Sequence, residues 1–414
     1  MSRRLFYTFV GLATVVAISI FGVKNDFGLG RNMEMMVNLM RTVSTDYVDT
    51  LSADKIMRYG AEGIMRNLDP YCTFLSEEDM KEFRTLTTGK YGGIGSVIRQ
   101  DSSAVRIAEP YKGSPADLAG LKIGDKIVAI DGKTAIGIGS DKVSSMLRGE
   151  PNTTVKVSVQ QITDDKIVTH KIRRQRIAIP SVSFADYVAP GVGYIIHSDF
   201  TDDCYTEMRA AIERLQSKGK LEKLILDYRS NGGGVLQSAV KVLSLFVPKG
   251  TMVVEMRGRG KRESKSFYTD IEPLLPNIPL VVLIGESSAS AAEIVSGALQ
   301  DLDRAVVMGS RSFGKGLVQT TLPIGYESYA KLTTAKYYIP SGRCIQAVRY
   351  SDKGKAESVP DSLITEYTTA AGRKVYDGGG IMPDSKVAPE YVSNFAVTLY
   401  LMGLIDDFGD DYYR

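Results

Sequence analysis

Ser290, in the segment SSASAAEI, and Lys315, in RSFGKGLVQT, stand 25 residues apart in a chain whose only histidines are His170 and His197. A serine becomes a nucleophile when a neighbouring group takes its proton, and with so little histidine the base on offer is a lysine held neutral. A free lysine has a pKa near ~10.4, so about a thousandth of it is uncharged at neutral pH. Burial disfavours the cation and can bring the value to roughly 7–8, where the amine accepts a proton. The glycines flanking Lys315 and the apolar residues around both segments suit such a dry site. The plain alternatives are a solvated loop lysine and a serine that only caps a helix.

Position favours the chemical reading. Residues 280–284 (LVVLI) predict a buried strand, 285–288 (GESS) the turn leaving it, and 289–301 a helix that begins at Ser290. A serine there lies beside unpaired backbone N–H groups and the positive end of the helix dipole, so the Ala291 amide is a natural donor to an oxyanion. A second donor is expected from the glycine run 232–234 in SNGGGV, which follows the strand LILDYR and lets backbone approach a ligand closely. Phosphate binding by that loop is the weaker reading, because neither GK[ST] nor GxGxxG is present. Gln319 lies four residues after Lys315. That spacing brings two side chains within about 5–6 Å on a helical turn but about 13 Å apart on a straight strand. If Gln319 orients the amine, the chain must bend between them. Glu293 shares a helix face with Ser290, whereas Asp301 is some 16 Å along the axis. Both read as structural anchors.

Around these residues the chain divides by pattern. Residues 31–88 predict helices, either a plain cap on the fold or an arm for pairing two copies. From Gly89 short strands and turns take over: 96–99, 104–108, 126–130 and 155–160, with a serine-capped GSPA helix start and a helix at 140–147. The order of glycine loop, GSPA, GD turn and IDG turn resembles a PDZ domain. That resemblance implies that Tyr91, Gly92, Gly93, Ile94 and Gly95 receive a peptide's terminal carboxylate while the peptide adds as a strand. The alternative is that the glycines make only a tight turn. From about residue 180 strands and helices alternate, and runs such as LVVLIG predict a sheet covered on both faces.

Composition excludes several classes. With 43% hydrophobic and 24% charged residues the chain is globular, and 414 residues exceed one ordinary core. A net charge of +3 without a basic stripe gives no footprint for nucleic acid. Cys72, Cys204 and Cys344 are too scattered for a disulfide framework or a zinc site, and HExxH is absent. Arg3 and Arg4 precede an uncharged run at 5–23, long enough for one membrane span with its start in the cytoplasm. An uncleaved anchor is favoured over a cleaved signal peptide. Either reading exports the rest.

The segments NLDPYCTFLS, GKYGGIGS, KGSPADLAGLKIGDKIVAIDG, LILDYRSNGGGVLQSAV, SSASAAEIVSGALQD, RSFGKGLVQT, KYYIPSGRCIQ and GGGIMPD together make the chain resemble the carboxyl-terminal processing peptidases, or tail-specific proteases. The resemblance implies an α+β multidomain chain: membrane anchor (1–25), helical region (26–88), PDZ domain (89–162) and an α/β peptidase core similar to crotonase and Clp-protease sheets (163–414). It implies Ser290 as nucleophile, Lys315 as general base, Gln319 as the residue orienting the lysine, and Gly233 (or Gly234) with Ala291 as oxyanion donors. Neither metal nor organic cofactor is implied. The partners would be C-terminal tails of exported proteins, the membrane, and a second copy of the chain. The location would be a bacterial inner membrane with the peptidase in the periplasm, or secretion if the segment is cleaved. The first residue of the glycine run is often proline in that family. The stiff connector 173–176 makes the PDZ position a two-state element, with Arg148 as its sensing contact or as an exposed turn arginine. The rival reading is a non-catalytic peptide-binding scaffold.

Overall fold

The computed structural model describes residues 27–80, 83, 90–101, 104–260, 264–350, 356–388 and 392–413. The apolar run 5–23, with the anchor expected there, lies outside them. Among the described residues no helix is long and apolar enough to cross a membrane.

Contacts divide the described residues into two units, one up to residue 74 and the other from residue 75 onward. In the first, helices Phe27–Asp46 and Ala53–Arg66 follow one another. The second starts at Ser52, whose side chain accepts from the Lys55 amide, and it buries Ile56 and Ala61. Met33, Met36 and Val37 stay exposed. Past this helix the Asp69 carboxylate accepts from the amides of Tyr71 (2.9 Å) and Cys72 (3.0 Å).

Among its described residues the second unit holds two large antiparallel sheets, a largely parallel one and three two-stranded antiparallel ribbons. Strands Ser96–Gln100, Val105–Pro110, Lys126–Ile130, Thr154–Gln160 and Ile167–Arg173 form the first in that order. Alternation along TVKVSVQ puts Val155, Val157 and Val159 in its core, against Val143 and Leu147 of helix Ser140–Leu147. Ile167–Arg173 pairs with Thr154–Gln160 along its whole length, so this sheet runs past residue 162. The chain enters and leaves through a ribbon in which Lys90–Gly93 pairs with Gln175–Ala178. In the connector Arg174 is buried, and its guanidinium donates to the carbonyls of Met146 and Leu147 and to Thr153 Oγ1.

The six-stranded sheet of the core runs Val182–Ala189, Val192–His197, Lys223–Asp227, Leu280–Ile284, Val306–Gly309 and Ser385–Lys386, parallel after the first pair. Helices Cys204–Lys218, Leu236–Leu243 and Ala291–Asp301 belong to the same hydrophobic cluster as its inward residues. Burial alternates along LVVLI, with Leu280, Val282 and Ile284 inside and Val281 and Leu283 only half-buried. The second face is therefore thinly covered, and the expectation of two covered faces is corrected. Apolar side chains on both faces of a strand do not by themselves guarantee two covering layers. Strands Lys265–Tyr268, Met252–Gly258, Ser328–Tyr338 and Leu317–Gly325 make the remaining antiparallel sheet.

Candidate active site

The serine turn is fastened before the serine is reached. Ser288 Oγ donates to the Tyr228 carbonyl (2.7 Å) and accepts from the Gly285 amide (2.9 Å). Ser290 then precedes the helix Ala291–Asp301 with φ 56° and ψ −114°. An ordinary N-cap has extended dihedrals. A positive φ on a serine costs of order 1–3 kcal/mol and persists only where the surroundings hold it. Ser290 is 8% exposed, and every residue of the helix after it is buried.

What holds it is Glu293. This carboxylate is fully buried and takes four hydrogen bonds, two on each oxygen. Oε2 accepts from the amides of Ser290 and Lys315, both at 2.8 Å. Oε1 accepts from Ser312 Oγ (2.6 Å) and the Gly314 amide (2.7 Å). The backbone nitrogens of Ser290 and Lys315 are thus no farther apart than two hydrogen bonds laid end to end. Burial pushes the Glu293 carboxyl above its ordinary pKa, while the four donors pull it back.

The lysine loop is packed by its glycines. A Cβ on Gly314, whose φ is 87°, would collide with Ala347, and one on Gly316 would lie 2.6 Å from the Gln346 nitrogen. Gln346 Oε1 accepts from the Gly316 amide at 2.7 Å. From the other side, Ser312 Oγ accepts from the Ile381 amide (2.6 Å), which brings the GGGIMPD segment against the loop. Lys315 is half-buried. Gln319 lies in strand Leu317–Gly325, with a register break between Val318 and Gln319, and its side-chain Nε2 donates to Thr333 Oγ1 at 3.3 Å. The extra residue of that break, Thr334, lies on strand Ser328–Tyr338, and the chain from Leu317 through Gln319 runs as strand.

The glycine loop meets the serine edge-on. A Cβ on Gly233 would lie 2.8 Å from Ser290 Cβ and 3.0 Å from the Ala291 nitrogen. The Gly233 amide, however, donates to Asn231 Oδ1 at 2.8 Å. The amides of Gly234 and Ala291 have no acceptor among the described residues. Asn231, fully buried, was not singled out in the sequence, and nor were Ser312 and Gln346.

Neither histidine competes for the role of base. His170 sits on strand Ile167–Arg173 of the small sheet. His197 is packed between Phe200 and Tyr228. Burial pushes its pKa down to about 4, against a weaker upward pull from the Asp199 backbone, and neither ring nitrogen has a partner at full hydrogen-bonding geometry. Asp301 is indeed an anchor: its carboxylate meets the Arg343 guanidinium at 2.8 Å, both side chains buried, and accepts from the Ser341 amide at 3.0 Å.

In the small sheet domain, Gly92 and Gly93 belong to the ribbon, where Gly92 O accepts from the Gly149 amide at 3.0 Å. Ile94 and Gly95 form the loop itself, Gly95 with φ 75°, and their amides have no acceptor among the described residues. A cavity of about 190 Å³ opens there, lined by Tyr91, Ile94, Ile98, Tyr111, Leu147 and Arg148 among others. The exposed Arg148 guanidinium lies 5.1 Å from the centre of the Tyr91 ring.

A strained serine at a helix start, tied through one carboxylate to a lysine loop, fits the class of serine hydrolases that work without histidine. Residues 191–352 match peptidase family S41, and residues 106–161 match a PDZ domain. The chain is 33% identical over 343 residues to a carboxy-terminal-processing protease of Bartonella bacilliformis, covering 82% of this chain and 78% of that one. It is 34% identical over 316 residues to a CtpA-like serine protease of Staphylococcus aureus, covering 76% of this chain and 62% of the relative. The solved photosystem II D1 C-terminal processing protease aligns over 87% of this chain and 93% of its own, with 26% identity and a TM-score of 0.46. The chain belongs to peptidase family S41, and it is a serine-type protease that carries a PDZ domain.

Proposed function

We propose that the protein cleaves exported proteins at or near their C-termini, with Ser290 as nucleophile, Lys315 as general base and Gln319 orienting the lysine. The observation that carries this is the shared acceptor: Ser290 and Lys315 both donate their amides to Glu293 Oε2, which fixes nucleophile and base as one assembly. The Ala291 amide, with Gly234 or Gly233, would receive the oxyanion. The PDZ domain, read as 90–173, would take the substrate's tail at Ile94 and Gly95, with Tyr91 and Arg148 lining the groove. The uncharged run 5–23 after Arg3 and Arg4 supports a membrane anchor with the peptidase on the outer side. A non-catalytic scaffold would have no reason to keep Ser290 in a strained backbone. The test is incubation of the full chain with a denatured protein beside its Ser290→Ala variant, with the products read by mass spectrometry. Cuts clustered near the substrate's C-terminus, absent with the variant, are expected. Equal cutting by both would refute the assignment of Ser290.

A further inference from the structure

Asn231 joins two strand ends to the serine turn. Its backbone N–H donates to the Tyr228 carbonyl (2.9 Å), and its backbone carbonyl accepts from Ala289 (3.0 Å), the residue before Ser290. Its carboxamide nitrogen donates to the His197 carbonyl (2.7 Å), and its carboxamide oxygen accepts from the Gly233 amide (2.8 Å). With no exposed surface, its carboxamide nitrogen donating and its carboxamide oxygen accepting, the side chain admits one orientation.

That orientation decides which glycine amide serves the reaction. The Gly233 N–H is turned toward Asn231, and the Gly233 carbonyl accepts from the Phe200 amide at 2.9 Å. A peptide unit is planar and trans, so its N–H points opposite to its C=O. The next amide, Gly234, therefore points away from Phe200, and it has no acceptor among the described residues. Gly234 is exposed whereas Gly233 is buried. The Ala291 amide is the other free donor, and the Gly233 backbone abuts both it and Ser290.

We infer that Asn231 is a positioning residue of the hydrolytic reaction: by binding the Gly233 N–H it holds the Gly232–Gly233 peptide and withdraws that amide, so that the Gly234 amide, whose peptide is pinned through the Gly233 carbonyl by Phe200, pairs with that of Ala291 to receive the developing oxyanion. This rests on Ser290 being the nucleophile. The carbonyl oxygen gains its negative charge as Ser290 Oγ bonds to the carbonyl carbon and its proton passes to Lys315. The charge returns when the C–N bond breaks and the leaving amine takes that proton. Asn231 touches none of these atoms.

The experiment uses the full chain and a fluorogenic peptide, comparing Asn231→Ala, which loses both side-chain bonds, with Asn231→Asp, which keeps an acceptor for Gly233. Losing an oxyanion donor typically lowers kcat by about 10²–10³-fold, so Asn231→Ala is expected to lose about 10²-fold in kcat with KM within about threefold of the original. Affinity for a peptide boronic acid, which forms a tetrahedral adduct on serine, should fall in parallel, while the cleaved product peptide binds as before. Asn231→Asp should recover at least about tenfold of the lost kcat, because it retains the acceptor that holds the Gly233 N–H out of the site. If Asn231→Ala does not fold, Asn231→Ser replaces it, since a hydroxyl makes the same turn more weakly. Near-original kcat without the carboxamide overturns the inference, as does a joint fall in boronate and product affinity, which marks general damage. Ser290→Ala and Lys315→Ala are run alongside. If either still cleaves, the serine–lysine reading fails; if both are dead while Asn231→Ala is active, only the role of Asn231 fails.

Discussion

Replacing Glu293 by glutamine changes one atom in kind and should disable the site. The carboxylate accepts four hydrogen bonds, two on each oxygen, in a place with no exposed surface. Glutamine keeps one acceptor oxygen and sets an NH2 group against the other two donors. A buried donor left without a partner costs about 1–3 kcal/mol, so two of them cost about 2–6 kcal/mol. Removing a charge that burial already disfavours returns part of this. A net loss of about 2–4 kcal/mol is expected, or roughly 5–15 °C in melting temperature for a domain of this size. The larger effect should be on turnover. Ser290 and Lys315 share Oε2, so whichever way the amide turns, the two loops lose a common hold or the Ser312–Gly314 hold behind it. A misplacement of about 1 Å can cost about 10²-fold, and kcat should fall by at least that much. Differential scanning fluorimetry and peptide hydrolysis on Glu293→Gln and Glu293→Asp give both readings. A Glu293→Gln variant that melts within about 2 °C of the original and turns over normally would refute the reasoning.

Ser290→Ala and Lys315→Ala should each abolish peptide hydrolysis, the double variant should add little, and Lys315→Arg should fail because guanidinium stays charged; near-native turnover in Lys315→Ala would sink the pairing. His197, held near a pKa of about 4 against an ordinary 6.5, takes up its proton in the unfolded chain first, so its contribution is complete above about pH 6.5 and is lost as pH falls toward 4, about 3 kcal/mol in all. Urea unfolding at pH 7 and pH 4.5 should show a smaller acid loss in His197→Leu than in the original chain; equal losses would contradict this. Asp301→Asn or Arg343→Met each strands a buried partner and should cost about 3–5 kcal/mol, whereas changing both should cost less than the two losses added. Thermal melts of the three variants decide it, and strict additivity would argue against a direct pair.

The sequence made Ser290, Lys315 and the glycine run visible because each breaks a local rule: a serine at a strand-to-helix turn, a lysine between glycines, three glycines before a helix. It could not show what joins them. The donors to Glu293 other than Ser290 lie 19 to 22 residues away along the chain, and the carbonyl held by Asn231 lies 34 away, so no short window contains the network. Glu293 read as an anchor from its helix face alone, without its partners. The same limit explains the PDZ loop: YGGIG looks like one glycine loop, but Gly92 and Gly93 are claimed by a strand some 80 residues on. The sheet was legible in order and position, while its half-covered second face was not, because LVVLI reads alike whether one layer covers it or two.

The ribbon through which the small sheet domain is threaded carries a consequence for how such a protein can be altered. Lys90 sits opposite Ala178 and Gly93 opposite Gln175, so departure and return lie side by side. A segment spliced in at such adjacent points barely stretches the host that carries it. The inserted PDZ domain is in effect a cassette: another of matching span could be exchanged for it with the peptidase core left as it is.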